Sequence, residues 1–67
     1  MSANESLGRA EELLARLEAQ REKLESTSPD DVDKAVEVLQ ELADLARQIE
    51  VELQAARRAA EADASGS

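Results

Sequence analysis

The sequence predicts an all-α fold: an antiparallel two-helix hairpin with unequal helices, forming a coiled-coil-like bundle with other copies or with a partner. Three observations carry this expectation. Val32, Ala35, Leu39, Leu42, Ala46, Ile49, Leu53, Ala56 and Ala60 recur at alternating spacings of three and four with no polar interruption. That is the seam of a helix packed against other helices. Leu7, Ala10, Leu14, Leu17, Arg21 and Leu24 repeat the spacing upstream. Between the two runs stands Ser26-Thr27-Ser28-Pro29-Asp30-Asp31, where Pro29 biases Ser28 away from helical geometry and so disfavours one continuous helix.

Residues 1–4 are polar and read as a frayed N-terminus. Ser2, three residues before Glu5, or Asn4 is suited to cap the first helix, expected over 5–25. Gly8 costs helix stability, but near the helix start. Leu13 widens the apolar stripe, and Arg21 on the seam lays its aliphatic stem along apolar surface while its guanidinium reaches outward. The turn is expected over 26–28. Ser28 then serves as N-cap, Pro29 as first helical residue, and Asp30 and Asp31 sit at the positive end of the helix dipole. A second helix over 29–62 is about 50 Å long, against about 30 Å for the first, leaving 63–67 as a disordered tail. The mismatch predicts that about ten residues of the second helix overhang the first, with Leu53, Ala56 and Ala60 uncovered within the chain. Val36, Val38, Ala43 and Leu45 flank the seam at positions usually given to charge. The resulting apolar arc is too wide for one neighbouring helix.

The interface is therefore placed on Val32, Ala35, Val36, Val38, Leu39, Leu42, Leu45, Ala46, Ile49, Leu53 and Ala56 of the second helix. The first helix contributes Leu14, Leu17 and Leu24.

Composition supports assembly. The chain has 67 residues, no Phe, Tyr, Trp or Cys, and much of its 42% hydrophobic content is alanine. A chain this small with no aromatic side chains and no disulfide has little to bury by itself, so other copies or a partner are expected to complete the fold. The formal charge is −8, with four basic and six acidic side chains in 1–28 and four basic and ten acidic in 29–67. This acidity, with no stacking side chains, argues against direct nucleic-acid contact and against an anionic membrane surface. No apolar run reaches the length of a membrane span and no basic-plus-apolar leader is seen, so a cytoplasmic location is expected.

Catalytic chemistry finds little to work with. There is no His or Cys, which removes the usual general base and thiol nucleophile. Ser2, Ser6, Ser26, Thr27, Ser28, Ser65 and Ser67 read as helix caps and solvated ends. Asp30, Asp31 and Asp33 lack the remaining positions of a calcium loop. Arg57 and Arg58 are read as complementing the dipole at the helix C-terminus. No enzyme activity, cofactor, metal or small-molecule ligand is expected.

Residues 34–53, with Ala35-Val36, Leu45-Ala46-Arg47, Ile49-Glu50 and Leu53 as the matching steps, resemble the second helix of the exodeoxyribonuclease VII small subunit. Leu13-Leu14-Ala15-Arg16-Leu17-Glu18 through Lys23-Leu24-Glu25-Ser26 is similar to that family's first helix. The turn differs, with Thr27 to Val32 where the family carries Gly and two leucines, and its aromatic positions are not aromatic here. The resemblance implies a non-catalytic accessory subunit that coats a helical region of a larger nuclease subunit, degradation of single-stranded DNA belonging to that partner. The alternative is a self-assembling hairpin, an oligomerisation or adaptor module with no link to nucleases.

Overall fold

The structure, a computed structural model, describes residues 2–65. The expectations for Met1, Gly66 and Ser67 lie outside the described residues. Two helices make up the fold, α1 (Ala3–Glu25) and α2 (Val32–Ser65), packed along one another as a helical hairpin.

Helix α1 starts earlier than its apolar pattern suggests because Ser2 takes the cap. Its backbone is extended, and its hydroxyl accepts from the Glu5 N–H at 3.1 Å, satisfying one of the four donors a helix start leaves open. Residues 3 and 4 are thus helical rather than frayed. At the other end, the Ser26 and Thr27 hydroxyls both donate to the Lys23 carbonyl, at 3.0 and 2.7 Å. The Ser26 N–H reaches the Glu22 carbonyl. Orphan carbonyls are therefore closed by side chains, with no left-handed residue among those described.

The connection runs over residues 26–31, longer than the expected turn, and α2 begins at Val32 rather than Pro29. Three hydrogen bonds explain the shift. The Asp31 N–H closes a turn onto the Ser28 carbonyl at 2.9 Å, with Pro29 at the position where its fixed φ suits a turn. The Asp31 carboxylate then accepts from the Lys34 N–H at 3.1 Å, while its carbonyl accepts from the Ala35 N–H. Asp31 is the cap, and Asp33 is the acid of the first helical turn.

Helix α2 continues through Asp63, Ala64 and Ser65, so the expected tail is helical up to Ser65. The expected ten-residue overhang is also shorter. Leu53 and Ala60 are exposed as expected, but Ala56 is buried and Ala59 half-buried, because the later start of α2 and the earlier start of α1 lengthen their overlap.

The molecule measures 57 × 14 × 12 Å, with a radius of gyration of 15.9 Å, against about 11 Å for a globular chain of this length. Its accessible surface is 5083 Å², where a compact monomer of this mass exposes about 4,200 Å². The buried apolar core is Ala10, Leu13, Val38 and Ala56.

Val38, 1% exposed, is the largest fully buried side chain. Val38→Ala should cost about 2 kcal/mol in urea unfolding, while Val51→Ala on the outer surface should stay within about 0.5 kcal/mol. Asp31→Ala should cost about 1 kcal/mol through loss of the cap. A Cβ at Gly8 would meet nothing within 4 Å, so Gly8→Ala should gain about 0.5–1 kcal/mol in the same experiment.

Candidate functional site

The residues that α1 and α2 turn toward each other form a different three-four series from the uninterrupted one. On α1 they are Ala3, Ser6, Ala10, Leu13, Leu17, Gln20 and Leu24, continued by Thr27 in the connection. On α2 they are Ala35, Val38, Leu42, Leu45, Ile49, Glu52, Ala56 and Ala59. The two series share alternate positions: Ala10, Leu17 and Leu24, and Ala35, Leu42, Ile49 and Ala56. The other members of the expected seam stand one step around each helix and stay outside the hairpin.

The expected interface residues divide accordingly. Val38 and Ala56 are buried, and Ala35, Leu42, Leu45, Ile49, Leu17 and Leu24 are half-buried, all in the contact between α1 and α2. Val32, Val36, Leu39, Ala46, Leu53 and Leu14 are exposed. Arg21, the seventh residue after Leu14, belongs with the exposed set. Its Nε lies 3.5 Å from Glu25 of its own helix, so it takes no part in the contact between the two helices.

These exposed apolar residues lie on one side of the hairpin. Leu7, Ala10, Leu14, Ile49, Leu53 and Glu11 line a single shallow groove, so the open positions of α1 and α2 face the same way. Ala46 and Ile49 carry the surface along α2 toward Leu39. Leu7, Leu14, Leu39 and Leu53 are 44%, 48%, 51% and 47% exposed. The opposite side differs in character. Arg9, Arg16 and Lys23 on α1, and Lys34, Glu41 and Gln48 on α2, fall there by helical spacing and are all exposed. The open side is the more apolar one, and the opposite side is mostly polar, with Val51 exposed beside Gln48.

The contact between α1 and α2 holds polar atoms that the uninterrupted series could not reveal. Ser6 is 1% exposed, so it is neither a cap nor a solvated end. Its Oγ, together with Gln20 Oε1 and Glu52 Oε1, is buried with no hydrogen-bond partner among the protein atoms. Arg57 and Arg58 also sit differently from the expectation. α2 runs two turns beyond them, and Arg57 Nε pairs with Glu61 Oε1 at 3.1 Å. Such exposed pairs, with Asp44–Arg47, contribute a few tenths of a kcal/mol each.

Among the described residues, no group of three or more acidic side chains gathers as a metal site requires. No helix there is long and apolar enough to cross a membrane. No protein-family model, characterised protein or solved structure matches the chain.

Ser6→Ala removes an orphaned buried hydroxyl and improves helix propensity. It should raise stability by about 1 kcal/mol in chemical denaturation. A loss of similar size would mean that the Ser6 hydroxyl holds a stabilising hydrogen bond.

Proposed function

We propose that the protein is a non-catalytic helical docking unit: it works by laying its apolar face against further helices, as an accessory component of a larger assembly. The observation that carries this reading is the division of each helical stripe. One half is used between α1 and α2, and the other half, Leu7, Leu14, Leu39, Ala46 and Leu53, remains open on one side. Aligned leucines at heptad spacing on paired helices fit a helical surface, where side chains of a third and fourth helix enter the spaces between them. The groove between the helices is shallow and Glu11 is the one charged side chain lining it, where a small-molecule site needs several converging polar groups.

The resemblance of residues 34–53 to the exodeoxyribonuclease VII small subunit gives this role a specific form. The host would be a helical region of a large nuclease subunit, the hairpin would add no reacting group, and its location would be cytoplasmic. The same face serves the alternative, a self-assembling hairpin.

Co-expression with the large subunit of such a nuclease tests the reading. With a nuclease host as the partner, the two form a stoichiometric complex. Leu39→Asp should abolish co-elution while the isolated chain keeps its helical circular dichroism at low temperature, because Leu39 lies outside the hairpin contact. Ile49→Asp should lose both, because it forces an unpaired charge into the contact. Undiminished binding of the Leu39→Asp chain would overturn the assignment of the face. No complex with the unaltered chain would remove the nuclease host.

A further inference from the structure

We infer that the occupant of the open face is a second copy of this chain, laid face to face about a twofold axis parallel to the helices. In that arrangement α1 of each copy stands over α2 of the other. The inference rests on the docking role proposed above and specifies its partner.

The area fits. The chain exposes 5083 Å², about 900 Å² more than a compact monomer of its mass. A standard specific interface takes about 800 Å² from each partner. Covering the open face once, with an equal hairpin, offsets most of that excess.

The side chains fit as well. Leu13 lies beside Gln48 and Glu52, so stepping along the antiparallel helices puts Leu14 within about one turn of Ala46, and Leu7 near Leu53. A twofold axis along the hairpin stacks Leu14 over the partner's Ala46, and Ala46 over the partner's Leu14. A large side chain then meets a small one at both sites, as interdigitated layers require. Leu7 meets the partner's Leu53, and the aliphatic stem of Arg21 covers the partner's Leu39.

Charge selects this axis over the other face-to-face choice. The outer border of the apolar face is Glu11, Glu18 and Glu25 on α1, but Val36, Ala43, Glu50 and Arg57 on α2. An axis across the hairpin would bring the three-glutamate border against its own copy. The axis along the hairpin puts that border beside Val36, Ala43 and a single glutamate, so most like-charge contacts are avoided.

Sedimentation equilibrium of the full chain measures the assembly. The expected result is a species of twice the 7.3 kDa chain mass. Leu14→Glu, which substitutes a position exposed in the hairpin, should raise the dissociation constant at least about a hundredfold by forcing a charge into the dry layer. The chain contains no cysteine, so single introduced thiols report the arrangement directly. Leu14→Cys mixed with Ala46→Cys should give a mixed disulfide in preference to either like pair, whereas an axis across the hairpin would make Leu14→Cys pair with itself. A single-chain mass at all concentrations overturns the second copy as occupant. Should that monomer still bind a helical host through Leu39, the docking role stands without it. Dimers unaffected by Leu14→Glu, or linked preferentially through Leu14→Cys alone, overturn the proposed layer.

Discussion

Both helices carry an apolar stripe broader than one neighbouring helix can cover, and the rest of the structure follows from how that stripe is divided. The contact between α1 and α2 takes Ala10, Leu17 and Leu24 with Ala35, Leu42, Ile49 and Ala56, then adds Leu13, Val38 and Leu45 from one side. Leu7, Leu14, Leu39 and Leu53 fall on the other side and stay exposed. A two-helix contact rich in alanine buries little area, and two long rods enclose little volume. The hairpin therefore leaves apolar surface at heptad spacing uncovered within the chain.

The ends of the helices set where α1 and α2 overlap. Ser2 starts α1 at Ala3, the hydroxyls of Ser26 and Thr27 close its last turn, and Asp31 starts α2 at Val32. With the ends set by side-chain hydrogen bonds, the helices overlap as far as Ala59 of α2. Seam residues of α2 such as Ala56 then have cover inside the chain. The polar atoms trapped in the contact, on Ser6, Gln20 and Glu52, weaken the hairpin alone. Buried polar groups of this kind also discriminate between registers that a purely apolar contact would tolerate.

The helices and the break between them were legible in the sequence because their signals are local: a three-four repeat, a proline and the acids that follow it. The choice of seam was not. Two interleaved series run through each helix, and the one that packs internally carries Ser6, Gln20 and Glu52, so it looks poorer by apolar periodicity than the one left outside. Burial of those positions depends on what lies across the hairpin, which no repeat within one helix encodes. The start of α2 was misplaced for a similar reason: Ser28 and Asp31 are both good caps, and the turn hydrogen bond from Asp31 to Ser28 decides between them. Of the open apolar face, the heptad spacing was legible but which side of each helix it takes was not. Exposure separated Leu14, Leu39 and Leu53 from Val38 and Leu45.

Thermal unfolding followed by circular dichroism across a hundredfold range of chain concentration tests the central claim most directly. Folding completed by covering the open face predicts a midpoint that rises steadily with concentration, since association draws on the folded state alone. A cooperative midpoint independent of concentration would show that the two helices are sufficient by themselves and would contradict this account.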